Sequence, residues 1–302
     1  MAILTDKKLA GPLLVALAGF LWATDALVRY PAIDRVDPTF IVFVEHILAV
    51  AILLPWILLK HRDQIFSLNL REWLAAAFSG IGGSALGTIF FTASFLYINP
   101  SVAVLLQKLQ PIMVVLIAYV MLGERPGKKF YLWGSIAFVA GLILSFPDMN
   151  FRFLSGGVNL HSKGIQYAFA AALLWAASTV TGKILLQRTP TVLATFWRFF
   201  FGLLGLLVIL SFAKTPLPWA SAFASGANFY SLLYLSLIPG LLAMMVYYSG
   251  LSRTPAGVTT FIELIYPIAA VALNTVFLHT PLSTVQTVAG AILVFAVAMI
   301  SF

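Results

Sequence analysis

No cysteine occurs among the 302 residues, so disulfides, thiolate metal sites and cysteine nucleophiles are excluded as devices of this chain. Charge is nearly as scarce. Asp, Glu, Lys and Arg make up 9% of the residues, where a soluble domain carries roughly 25%. Several catalytic signatures are missing as well. There is no GxxxxGK[ST] phosphate loop, and the fragment TGK at 181–183 lacks the glycine-rich turn that such a loop needs. HExxH, GxSxG and paired DxxxD aspartates are absent. His46, His61, His161 and His279 are too dispersed to form a recognisable metal site. The expectation is therefore no cofactor, no metal and no enzymatic activity, with an intramembrane enzyme kept as the lesser alternative.

What is present is apolar. Hydrophobic residues account for 61% of the chain and the mean hydropathy is +1.00, far more than a soluble core of this size can bury. The net charge of +8 comes from Lys and Arg scattered through short connections, which argues against a nucleic-acid partner and for a lipid bilayer. A membrane-spanning helix needs about 20 apolar residues. Stretches of that kind, bounded by charge, Pro and Gly, lie at 10–30, 39–59, 72–96, 101–121, 130–147, 164–184, 191–212, 228–250, 256–278 and 283–302. The third is the one whose boundary is open, because it could be split at GIGG (80–83). The first carries no convincing cleavage site and is expected to be a retained helix. With the N-terminus inside, 11 Lys and Arg fall in cytoplasmic segments and 5 in outer ones, which predicts that both termini are cytoplasmic.

The runs repeat. AGFLWATDAL (18–27) in the first matches AALLWAASTV (171–180) in the sixth, with Trp22 and Trp175 offset by 153. DPT (37–39) before the second matches TPT (189–191) before the seventh, and His46 falls opposite Arg198. NPSVAVLLQKLQP (99–111) opens the fourth, and TPAGVTTFIELIYP (254–267) opens the ninth. Pro100 then pairs with Pro255, Lys108 with Glu263 and, allowing one inserted residue, Pro111 with Pro267. A repeat of five spans returns with opposite orientation. The predicted fold is an all-α membrane protein of ten transmembrane helices, as two inverted five-helix repeats around a central cavity. The predicted divisions are 1–147, an external linker at 148–163, and 164–302.

These features together resemble the drug/metabolite transporter superfamily, and within it the EamA-type bacterial exporters of amino acids, including aromatic ones. LW[AG] in runs one and six, the P…L…P patterns and LGE (122–124) carry the resemblance. It implies a bundle whose cavity is lined by helices 1, 3, 4, 6, 8 and 9, with 5 and 10 behind; the expected setting is the bacterial inner membrane, with a monomer as one open possibility for the oligomeric state. It departs from the pattern at LHTPLS (278–283), where the first half has LGERPG (122–127).

Lys108 is the residue most out of place, a charge within a span where charge costs about 2.5–3.5 kcal/mol on insertion scales. With Glu263 it would form a gate, hold the two ends of a zwitterion, or make a static ion pair between the halves. Trp22, Lys108, Trp175, Tyr248 and Glu263 are the expected substrate-binding residues. Pro111 and Pro267 are expected hinges, since proline removes a helix hydrogen bond and crowds the preceding turn. Arg29, at i+4 from Asp25, reads as an anchor at the outer interface. Glu45 and His46 are adjacent and so about 100° apart on a helix, which argues against both pointing inward along one stripe. Gly83 and Gly87 form a GxxxG packing motif. The functional expectation is a secondary carrier exporting amino acids by alternating access, with sugars, nucleotide derivatives or drug-like metabolites as alternative cargo.

Overall fold

The computed structural model describes residues 7–122, 127–148, 160–212, 219–223, 225–254, 259 and 262–301. Pro255, most of LGERPG and residues 149–159 of the expected linker lie outside them. Among the described residues the structure is helical, with no strand. Seven helices are long and apolar enough to cross a membrane: Ala10–Ala32, Pro38–Lys60, Leu70–Ser94, Pro100–Ile117, Leu160–Leu186, Thr191–Phe212 and Gly226–Leu251. Two shorter apolar helices, Ile265–Phe277 and Thr284–Ile300, follow.

Local chemistry sets the helix starts. Asp37 caps α3 (Pro38–Lys60), its carboxylate accepting from Thr39 N at 2.8 Å and Phe40 N at 3.2 Å. Pro38 at the first helical position loses nothing by lacking an N–H. Asn99 with Pro100 repeats the device at α6 (Pro100–Leu106). Asn69 and Glu72 form a reciprocal capping box at α4 (Leu70–Phe78). The sixth span begins at Leu160, four residues before the sequence suggested, as α9 (Leu160–Leu186). Lys163 in its first turn lies over the rings of Tyr97 (4.9 Å) and Tyr167 (5.6 Å).

Most of the spans that shape the interior are interrupted. The first span is α1 (Lys7–Ala23) and α2 (Asp25–Ala32), broken at Thr24. The third is not split at GIGG. Its α4 runs through a π-helical segment, Ser79–Leu86, into α5 (Gly87–Ser94). Gly80 and Gly83 suit that wide turn because neighbours press on it: a Cβ at Gly80 would sit 2.6 Å from Phe201 Cβ and 2.7 Å from Arg198 O. In the span Gly226–Leu251 a second π segment, Ser236–Leu242, contains Pro239 and joins α11 (Gly226–Leu235) to α12 (Ala243–Leu251).

Proline breaks the fourth and ninth apolar runs of the sequence one turn upstream of itself. Pro111 crowds the carbonyl of Gln107, and Gln107–Leu109 form a tighter 3₁₀ turn before α7 (Gln110–Leu122). Pro267 crowds Glu263, and Glu263–Leu264 form a turn before the ninth span's regular helix, which starts at Ile265. Lys108 and Glu263 thus both sit inside a break.

α8 (Lys128–Ser145) packs mainly against the C-terminal helix Thr284–Ser301. α10 (Thr191–Phe212) packs on α3 and the first π segment, α1 on α12, and α5 on α9. Gly83 and Gly87 face α9: a Cβ on the first would strike Ser178, and one on the second would lie 2.9 Å from Trp175 Nε1.

Candidate functional site

The interrupted spans surround a cavity of about 200 Å³. Trp22, Lys108, Trp175, Tyr248 and Glu263, the five expected residues, all line it. No residue of α8 or of Thr284–Ser301 does.

The two tryptophans bond reciprocally across the bundle. Trp22 Nε1 donates to Pro239 O in the second π segment at 3.0 Å, and Trp175 Nε1 donates to Gly83 O in the first at 2.8 Å. Both accepting carbonyls lie in π-helical segments, and each indole N–H, a group that needs a partner when buried, finds one there while its ring lines the cavity. Aromatic neighbours complete the walls. Trp22 lies 5.0 Å from Tyr247 and 6.4 Å from Tyr266, and Trp175 lies 5.3 Å from Phe91.

Lys108 and Glu263 share this cavity without an ion pair. Lys108 Nζ stands 5.0 Å from the centre of the Tyr266 ring, a cation–π contact. Glu263 accepts a hydrogen bond from Tyr247 OH at 2.7 Å. The static-ion-pair expectation is therefore not met: each charge is held by an aromatic and left facing the cavity. Gln110 donates to Thr179 Oγ1 at 3.0 Å and adds a polar edge.

Arg29 corrects the sequence reading. It is not an exposed anchor but 3% exposed. Its Nε and Nη2 grip Asp25 at 2.6 Å each, Nη2 also donates to Glu45 at 2.7 Å, and Nη1 donates to Thr92 at 3.1 Å. The triad ties α2 to α3 and α5. Glu45 and His46 also depart from expectation, since both line the cavity despite the 100° between them. His46 Nδ1 donates to Val42 O at 2.7 Å, so a neutral ring accepts at Nε2 from Ser84 Oγ at 3.0 Å. α3 and α10 are therefore part of the wall, through Glu45, His46, Arg198 and Phe199. The sequence offered a signal for these, charge inside apolar runs, but not their direction. Among the described residues no group of three His, Asp or Glu is placed to hold a metal ion.

The model of the EamA-like transporter family matches this chain twice, over residues 9–146 and 162–302. The riboflavin transporter ImpX of Fusobacterium nucleatum subsp. nucleatum is 27% identical over 299 residues, covering 98% of this chain and 99% of that one. Protein PecM of Dickeya dadantii is 27% identical over 76% of this chain and 73% of its own. An uncharacterised transporter of Archaeoglobus fulgidus is 25% identical over 80% of each. A solved structure described only as "Crystal structure of protein" superposes with a TM-score of 0.64 at 21% identity, covering 96% of each chain.

Proposed function

The chain belongs to the EamA-like transporter family, and from that premise we propose that it carries a small ring-bearing solute across the membrane through the aromatic cavity. The observation that carries this reading is the cavity's composition: indole and phenol rings on its walls, with Lys108 and Glu263 turned into it unpaired. Such a site takes a flat, polar-edged molecule and orients it by its charged or hydrogen-bonding rim. Riboflavin, a tricyclic ring with a hydroxylated tail, is the first compound to try, because the ImpX relative that matches nearly the whole chain is named for it.

A second reading, export of aromatic amino acids, is favoured by one feature. An unpaired cation and an unpaired carboxylate in one cavity suit the carboxylate and ammonium of a zwitterion.

Alternating access between two inverted halves, 1–147 and 164–302 joined by 148–163, is the mechanism we attach to the cavity. The double match of the family model and the reciprocal Trp22 and Trp175 bonds support it. Pro111 and Pro267 would serve as its hinges. The positive-inside bias supports cytoplasmic termini.

Uptake of labelled riboflavin and labelled phenylalanine into liposomes containing the purified protein, with and without a pH gradient, tests both readings. Protein-dependent riboflavin uptake is the expected result, and phenylalanine uptake blocked by other amino acids would favour the second. Lys108→Ala should lower kcat/KM by about 10- to 150-fold, the equivalent of a lost charged hydrogen bond of about 1.5–3 kcal/mol. Unchanged kinetics in a folded Lys108→Ala protein, or no uptake of either compound, would overturn the assignment.

A further inference from the structure

Two arginines are buried in the wall of this cavity, and the protein treats them oppositely. Arg29 has all three nitrogens bonded and two carboxylates against it. Arg198, on α10, is 7% exposed and meets no carboxylate among the described residues. Only its Nη1 is used, donating to Ser79 Oγ at 2.9 Å and Ser178 Oγ at 2.6 Å. Its Nε is buried without a hydrogen bond.

An uncompensated guanidinium inside a membrane span is costly, and such residues face cavities and mark solute paths. A guanidinium presents five donors in a planar fork that fits a carboxylate or a phosphate. The serines extend that fork. Ser79 and Ser178 share a hydrogen bond at 3.1 Å, which uses one of their two hydroxyl hydrogens. With Ser79 donating, the Ser178 hydroxyl at the cavity wall is left to donate to a ligand. Lys108 is less suited to the role, because its ammonium is already held over the Tyr266 ring.

We infer that Arg198 and Ser178 form an oxyanion subsite in the cavity, which takes a carboxylate or phosphate group of the transported solute. The inference rests on the reading of the cavity as a carrier site for ring-bearing molecules, and it makes those with an acidic group the preferred cargo over neutral ones such as riboflavin.

Two matched pairs test it, each titrated into the purified protein while tryptophan fluorescence is followed: riboflavin 5′-phosphate against riboflavin, and phenylpropanoate against phenylpropanamide. In at least one pair the acidic member should bind at least about tenfold more tightly. Arg198→Gln should bring the two members level without weakening the neutral one. A purely structural arginine would instead weaken both alike. No preference for the acid in the parent, or a preference kept in Arg198→Gln, overturns the subsite.

Should Arg198→Gln not fold, Arg198→Lys takes its place: it keeps the charge and loses the fork, so a reduced preference is expected and an undiminished one rejects the proposal. If no ring compound binds, the carrier reading for such solutes fails. Phosphate or acetate alone then decides the subsite: a rise in the parent's melting temperature that Arg198→Gln lacks upholds it, and no rise rejects it.

Discussion

Removing Arg29 would leave the carboxylates of Asp25 and Glu45 buried together with no cation between them. Breaking a buried ion pair from one side costs about 3–5 kcal/mol, whereas replacing the whole group with well-packed hydrophobic residues of similar volume is often neutral. Arg29→Gln should therefore melt well below the parent in detergent. The triple variant Asp25→Leu, Arg29→Met, Glu45→Met should recover most of the difference. Equal melting of the single and triple variants would show that the triad is not a balanced charge unit. The contrast also explains what could be read beforehand. Lys108 and Glu263 stood out because their side chains interrupt apolar runs at positions related by the repeat. Arg29 lies near the end of its run, where an interface anchor is the ordinary explanation. Only the placement of Glu45 and Thr92, 16 and 63 residues away, shows otherwise.

Proline and glycine were the more legible signals at the level of whole helices. Pro111 and Pro267 announced breaks, and the structure places each break one turn earlier, at Gln107–Leu109 and Glu263–Leu264. Replacing either proline by alanine lets the helix close its missing hydrogen bond. The expected outcome is slowed transport with solute affinity and melting temperature preserved, measured by uptake rate beside equilibrium binding. A fall in affinity equal to the fall in rate would count against a hinge. The glycines of the third span left a division at GIGG open, and the chain runs through a π segment there, with Gly83 packed against Ser178 of α9. Gly83→Ala should destabilise by about 1–3 kcal/mol through overpacking. Ser178→Gly in the same chain should recover part of that loss, since Ser178 is the atom group the new methyl meets. Additive losses in the double variant would refute the contact.

For the molecule as a whole, composition and run length gave the membrane class and the helical fold. They could not say that α3 and α10 reach the cavity, because a helix apolar on nearly every side does not reveal which face its few polar residues take. Orientation is testable with the cysteine-free chain as background. A cysteine at Asp34, an exposed position after α2, should react with a membrane-impermeant maleimide on intact cells. One at Ser67, exposed after α3, should react only after permeabilisation. The reverse pattern would invert the assigned orientation.

The π segments also fix how the third span is phased. A π turn carries a residue more than an α turn, and each α residue advances the helix by about 100°. The Ser79–Leu86 stretch therefore acts like a keyway cut between two halves of a shaft: it lets Gly83 and Phe91 meet the same indole and leaves Thr92 facing Arg29. Deleting one residue there would keep every wall residue and misalign them, turning Phe91 and Thr92 away by about 100°. The cavity is in this sense set by a count as much as by composition, and a chain one residue shorter at this point would hold the right parts out of step.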